Sequence, residues 1–376
     1  MYYLDIPCLP NNSVTTGWDT EIEKILDTGY VILDKKNYFI YNQYPVSNIK
    51  HLVLMKVEIF KFEGKIMINL CKFFLFLFFA ILCLSCSRGD GREEVNPTNT
   101  KTLWRTYSLP HYISIYHLSF TSPNRGWATG EGGVIFSYNG NEWTQVSSPT
   151  KEQLFSLSSI EENRLYAVGS RGTILLYSDG RWILEKLGIE WDIMDVFFLN
   201  EDEGWAVGEN SIILQHDDKG WKVWNAPRIG YLTRVFFTNK HSGWAVGNNG
   251  LIFHYEGTSW EKVISPTEEN LYGLYFISAQ EGWAVGAVGT ILHYHHDKWS
   301  IYPSPVENHL LDIHFDSKRR GWIVGASGVI LKYQAGKWIE NPSPSKKALY
   351  TVTTDDQGTL WISGKAGKIF QLRKNP

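Results

Sequence analysis

Between Leu232 and Val263 the apolar positions come in four short bursts, LTRVFF, GWAVG, LIFHY and SWEKV, separated by the polar connections NKHS, NNG and EGT. Each burst is rich in β-branched and aromatic residues, and none keeps a helical apolar period. The pattern therefore predicts four short strands joined by tight turns. It then repeats. GWAVGNNGLIFHYEGTSW begins at Gly243, GWAVGAVGTILHYHHDKW at Gly282 and GWIVGASGVILKYQAGKW at Gly321, a spacing of 39 residues.

Carried along the chain, this spacing aligns Trp127, Tyr166, Trp205, Trp244, Trp283, Trp322 and Trp361 in one column. A glycine follows each of them three residues later, from Gly130 to Gly364, and an isoleucine recurs from Ile135 to Ile369. Seven segments thus solve one packing problem, and a constant period of about 40 residues with four strands per unit is the arithmetic of a β-propeller. The expected fold is all-β: seven four-stranded blades over residues 102–376. Small Ala128, Ala167, Ala206, Ala245 and Ala284 would let blades approach, and Phe120, Phe198, Phe237, Phe276 and Phe315 would fill the space between them. The glycine ending the second strand and the one opening the third, with Ser211 as the exception, flank a two-residue connection where positive φ is cheap for glycine.

A second tryptophan column, Trp143 to Trp338, marks the fourth strand, and its next member would fall one position past the end of the chain. Stepping back from Trp143 lands instead on Trp104, with Pro110 matching Pro149, Pro227, Pro266, Pro305 and Pro344. The stretch around Trp104 is therefore expected to supply the outer strand of the last blade and so close the ring, which removes a sheet edge.

Upstream of the repeats, Met67 to Cys86 places one lysine before an apolar run from Phe73 to Leu84, too short to span a bilayer comfortably and suited to a signal peptide. Its ending, LCLSC, resembles a bacterial lipobox, which would make Cys86 the lipidation site. The expected product is an exported lipoprotein of the periplasm or cell surface. Residues 1–66 are then either an extension or sequence upstream of the true start at Met67, and the polar residues 87–101 form a flexible tether. All four cysteines lie at or before position 86, so the repeats have neither disulfide nor thiolate metal site to lean on.

The motif GWAVGxxGxI followed by a turn and Trp resembles the photosystem II assembly and stability factors and their bacterial relatives, within the sialidase-like Asp-box propellers. The turn departs from that family's TxDGGxTW: it reads YNGNEW, HDDKGW or YEGTSW here, and only the copy with Ser178, Asp179, Gly180 and Trp182 comes close. The resemblance implies a seven-bladed fold and a non-catalytic role: a membrane-anchored scaffold or assembly factor binding a protein partner, such as a membrane complex or its assembly intermediate.

Candidate chemistry narrows little further. Lys+Arg 36 against Asp+Glu 39 leaves a net charge of -3, so composition suggests no basic face for nucleic acid. GEGG at 130–133 and GSRG at 169–172 lead into strands rather than helices, so they offer phosphate no helix N-terminus. HYHHD puts His293 and His295 on one strand face without a distant ligand, and no metal or other cofactor is expected. The first strand should line the channel with His117, Ser156, Asp195, Arg234, Gly273, Asp312 and Thr351. Asp195 and Asp312 are the only carboxylates of that column, and a glycosidase pair must sit roughly 5 to 9.5 Å apart. They fall on blades nearly opposite each other, and Arg234 is the column's one arginine. A glycan-binding or glycan-cleaving propeller is the alternative reading. For partner binding, the expected face carries the connections from fourth to first strand and from second to third: Arg171, Trp191, Asp192, Glu209, Tyr231, Asn248, Asn270 and His309, converging with Arg234 on the channel mouth.

Overall fold

The computed structural model describes residues 104–110, 112–224, 229–317 and 320–372. Residues 1–66, the apolar segment with Cys86 and the tether 87–101 lie outside the described residues. Within them the chain forms seven antiparallel four-stranded sheets, one per repeat, each in sequential strand order except the last. Blades 1 to 6 begin at Ile115, Leu154, Ile193, Leu232, Leu271 and Leu310. Blade 7 runs Leu349–Thr354, Leu360–Gly364, Lys368–Leu372, and its fourth strand is Trp104–Ser108. Trp104 pairs with Leu372 and Ser108 with Lys368, so the two ends of the propeller share one sheet, as the displaced tryptophan column predicts.

Blade 4 shows why this sequence makes this unit. Its strands are Leu232–Asn239, Ser242–Gly247, Ile252–Tyr255 and Trp260–Lys262, in the bursts read from the sequence. Trp205 of the second strand of blade 3 stacks on Phe237 of the first strand of blade 4 at 5.1 Å, and meets the edge of Trp260 on its fourth at 5.6 Å. Tyr255 of the third strand tilts against the same indole at 4.9 Å. One ring from blade n thus sinks into three rings of blade n+1. The arrangement recurs with Tyr166 on Phe198, Trp244 on Phe276 and Trp361 on Phe120. Each such pair adds about 0.5 to 1.5 kcal/mol beyond simple burial. The column alanines Ala128, Ala206, Ala245 and Ala284 are fully buried, which is what close blade approach requires.

Two blades fill this space differently. Where five blades place a phenylalanine, blade 2 has Ser159 and blade 7 has Thr354. The cross-strand partner of each phenylalanine is a glycine: Phe120 faces Gly126, Phe198 faces Gly204 and Phe237 faces Gly243. Partnering Ser159 and Thr354 are instead Leu165 and Leu360, both buried. A Cβ on Gly243 would lie 2.3 Å from the Phe237 ring. Ring and side chain exclude one another, so the apolar bulk crosses from one strand to its neighbour.

The glycines of the turn call for a correction. The connection from second to third strand is a three-residue 3₁₀ turn, as in Asn248–Gly250, and its central residue is left-handed, Asn249 at φ 53 and Arg171 at φ 53. Gly247 itself is extended, with φ -168, a conformation open to any residue. It is glycine because a Cβ would lie 1.9 Å from the Tyr231 carbonyl oxygen, the same close approach made by Gly208 on Asp192 and Gly286 on Asn270. Only the second glycine, such as Gly250 at φ 65, needs the left-handed region, and it too has a carbonyl within 1.9 Å of its Cβ position.

Candidate functional site

The innermost strand of each blade leaves an edge of backbone N–H groups toward its neighbour. Buried donors of this kind need acceptors. Asp195 supplies one: its Oδ2 accepts from Val235 N of blade 4 at 2.9 Å, and its Oδ1 accepts from Ser156 Oγ of blade 2 at 2.6 Å. Asp312 does the same on the other side of the ring, accepting from Val352 N of blade 7 at 2.9 Å. Arg234 joins them. Its Nη1 lies 3.4 Å from Asp195 Oδ1 and its Nη2 3.1 Å from Asp312 Oδ1, so one guanidinium links carboxylates three blades apart. The blade between Arg234 and Asp312 carries Gly273 at this level, which leaves the path free of a side chain.

Both carboxylates and the arginine are largely buried. Burial pushes the Asp195 carboxyl up, while Arg234, Ser156 and Val235 N pull it down. Burial also works against the Arg234 charge, but Asp312 and Asp195 together hold its pKa above the ordinary value. His117 on the same level is held neutral, its pKa brought down to about 3 by burial and by Arg234. The layer read in the sequence as a candidate acid pair is therefore a closed structural bridge. The Asp195 oxygens are engaged by the Val235 N–H, the Ser156 hydroxyl and the Arg234 guanidinium, and those of Asp312 by the Val352 N–H and the same guanidinium.

The connections from fourth to first strand and the 3₁₀ turns do lie at the same end of the blades. Glu131 N donates to Ser114 O, Glu209 N to Asp192 O and Asn248 N to Tyr231 O. Several of the residues expected to bind a partner are occupied in building this face. Asp192 Oδ1 accepts from Arg171 N at 2.9 Å, Asn270 Oδ1 from Asn249 N at 2.9 Å and His309 Nδ1 from Val288 N at 3.1 Å. In each case the side chain of one blade caps the left-handed residue of the preceding blade's turn. Glu209 in turn accepts from Asp192 N. Asn248 opens one such turn, and the Arg171 side chain is 77% exposed.

Trp191 and Tyr231, expected on the binding face, do not present open rings there. Trp191 is half-buried against the core shared by blades 2 and 3, beside Ile189 and Leu187. Tyr231 is also half-buried, its hydroxyl on Met194 Sδ at 2.9 Å, and its pKa is raised to about 12 by burial and the nearby Asp192 and Glu209. Sequence reasoning overlooked instead the position where the first strand bulges, next to the channel column. It holds Tyr116, Phe155 and Tyr350 on blades 1, 2 and 7, and these rings touch in series: Tyr116 is 5.8 Å from Phe155 and 5.5 Å from Tyr350. The signal was present as one more column at the repeat spacing.

Elsewhere the surface offers less. A groove of 660 Å³ runs between blades 1 and 2, past Arg125, Glu162, Trp127 and Trp182, but both indoles are buried and present no open face to a ligand. His293 lies on Trp283 at 3.9 Å, and among the described residues no three His, Cys, Asp or Glu side chains gather as metal ligands.

No protein-family profile and no curated protein matches the sequence. Solved structures do. "YCF48 bound to D1 peptide" superposes with a TM-score of 0.64 at 19% identity over 74% of this chain and 99% of that one. YCF48 from Cyanidioschyzon merolae gives 0.61 at 17%, over 72% of this chain and 98% of that one. A streptogramin B lyase structure gives 0.65 at 17%, over 72% and 97%. At 17 to 19% identity these likenesses show the fold. The chain is, in its architecture, a seven-bladed β-propeller.

Proposed function

We propose that this protein is a non-catalytic scaffold or assembly factor that binds a protein partner at the face built from the 3₁₀ turns and the connections between blades. The observation that carries this reading is the likeness, over nearly the whole of that chain, to a propeller solved with a bound peptide. The engagement of Asp195, Arg234 and Asp312 with each other supports it, since the channel's charged groups serve the ring rather than a substrate. Membrane attachment through lipid on Cys86, export to the periplasm or cell surface, and a membrane complex or its assembly intermediate as the partner belong to the same proposal. They rest on the sequence alone.

Crosslinking in native membranes followed by mass spectrometry tests the partner and the face together. Crosslinks from a protein partner to the turns at 131–133, 170–172 and 326–328 are expected. Crosslinks confined to the opposite end, at Asn200–Glu203 and Arg320, would refute the choice of face. Metabolic labelling with a fatty-acid probe tests the anchor, which fails if Cys86→Ala labels like the parent. The glycan-cleaving alternative would be restored by activity on a polysaccharide panel that Asp312→Asn abolishes while the fold survives.

A further inference from the structure

The partner-binding face is not uniform. On the half formed by blades 7, 1 and 2, its exposed connections carry Lys151, Arg171, Lys346, Lys347 and Lys365. The two acidic residues among them are engaged: Glu131 Oε2 accepts from Ser114 N, and Glu152 lies 3.9 Å from Arg171. Among the described residues, no ion pair holds Lys346, Lys347 or Lys365. The half formed by blades 3 to 6 is the reverse, with Glu190, Asp192, Glu209, Glu268, Glu269 and Glu307 against Lys186 alone among the described residues.

Aromatic surface coincides with the basic half. Tyr112 is 86% exposed, and Lys347 Nζ stands 5.1 Å from the centroid of its ring. Inward from it, the series Tyr350, Tyr116 and Phe155 edges the channel mouth, tied to the rim by the Tyr116 hydroxyl on Gln153 Oε1 at 3.0 Å. Exposed tyrosine beside cations, over a half-buried apolar arc, has the composition of an interface hot spot. The charge selects the partner: an acidic segment gains attraction from the lysines and is repelled by the far half, which also fixes its position on the face.

We infer that the blade 7, 1 and 2 half of this face binds an extended acidic segment of a partner protein, its carboxylates on Lys346, Lys347 and Lys365 and its apolar side chains on Tyr112 and the Tyr350–Tyr116–Phe155 arc. The inference rests on the protein-binding reading above and adds the chemistry of the segment.

The test uses the full chain in mild detergent and fluorescence anisotropy with a fluorescein-labelled synthetic peptide alternating Glu with Leu. Binding that weakens with salt is expected. The triple change Lys346→Glu, Lys347→Glu and Lys365→Glu should weaken it roughly 30-fold, and Tyr112→Ala roughly 10-fold, the range of hot-spot losses. Glu268→Lys with Glu269→Lys, on the opposite half, should not weaken it. All these side chains are exposed, so unchanged melting is expected for each variant. Equal binding to the triple variant, tighter binding of a Lys–Leu peptide, or stronger binding of a single-stranded oligonucleotide or of phosphatidylglycerol vesicles would each overturn the inference. Capture of the crosslinked native partner separates the two ideas. If the partner maps to this face and the triple variant still captures it, the acidic-segment inference fails and the scaffold reading stands. If it maps to the opposite end, both fail.

Discussion

Blades 4 and 2 solve the same packing problem with opposite placements of apolar bulk. In blade 4 the first strand carries Phe237 and its partner Gly243 makes room for the ring. In blade 2 the first strand carries Ser159, and Leu165 on the second strand fills the space from the other side. Blade 7 follows blade 2, with Thr354 and Leu360. The small residues left behind then take on polar work: Ser159 Oγ hydrogen-bonds Ser119 Oγ at 2.8 Å, and Thr354 Oγ1 hydrogen-bonds His314 Nε2 at 2.9 Å. What is held constant around the ring is therefore the volume between strands, not the residue that supplies it. Close packing makes this a requirement of the pair, and each member alone can vary only if the other does.

The sharpest test of blade 7 as a full member of the ring is loss of Trp104–Ser108. Without that strand, the blade exposes the edge of Lys368–Leu372 and loses the partly buried Trp104 and Tyr107, the latter stacked on Trp361 at 5.7 Å. We expect a loss on the order of 5 kcal/mol from buried area and lost pairing, or aggregation, measured by calorimetry. An unchanged melting temperature would show that closure contributes nothing. Next in size, Leu165→Gly empties blade 2 without restoring a ring and should cost about 4 kcal/mol. Adding Ser159→Phe should recover a large part of it, because it recreates the pairing of blade 4. No recovery would mean the two solutions are not interchangeable.

Gly243→Leu probes the reverse and should cost about 3 kcal/mol through overpacking against Phe237. Combining it with Phe237→Ser should cost less than the sum of the two single changes, and additivity in chemical denaturation would contradict the pairwise account. The smallest expected effect is on pH dependence. His117 and His314 occupy related inner positions on blades 1 and 6, and burial lowers their pKa to about 3 and about 4, from 6.5 when unfolded. Their folded pKa values are depressed, so the unfolded chain binds more protons below pH 6.5. Stability should be full above that pH and fall as the pH drops toward 4. Asp195 acts in the opposite sense, since its raised pKa lets the folded state take up a proton first on acidification. A His117→Gln variant should have a flatter pH profile of melting temperature than the parent between pH 6.5 and 4. An equally steep profile would remove His117 from this account.

The sequence revealed the repeat, the strand count, the ring and its closure, because packing a ring against its neighbour seven times forces the same residue types into the same columns. It also contained the exchange of Phe–Gly for Ser–Leu, visible as two coincident gaps at 159 and 165, but reading these as one event requires knowing that the positions face each other across two strands. The binding face is the harder case. Asp192, Asn270 and His309 are polar and variable in a loop, the usual signature of recognition, yet they cap the turns of the blade before them. Asp195 and Asp312, legible only as a pair too distant to act together, are joined by an arginine from a third blade.

By itself, then, the sequence determined which residues pack inside each blade and that seven blades close into a ring, since period and polarity are local properties of a chain. Tertiary structure decided which polar side chains are consumed by neighbouring blades and which remain on the surface. That depends on where unpaired backbone N–H groups of one blade meet side chains of the next. It also decided that the lysines of blade 7 and the tyrosines of blades 1 and 7 form one patch, because closing the ring brings together residues more than two hundred positions apart.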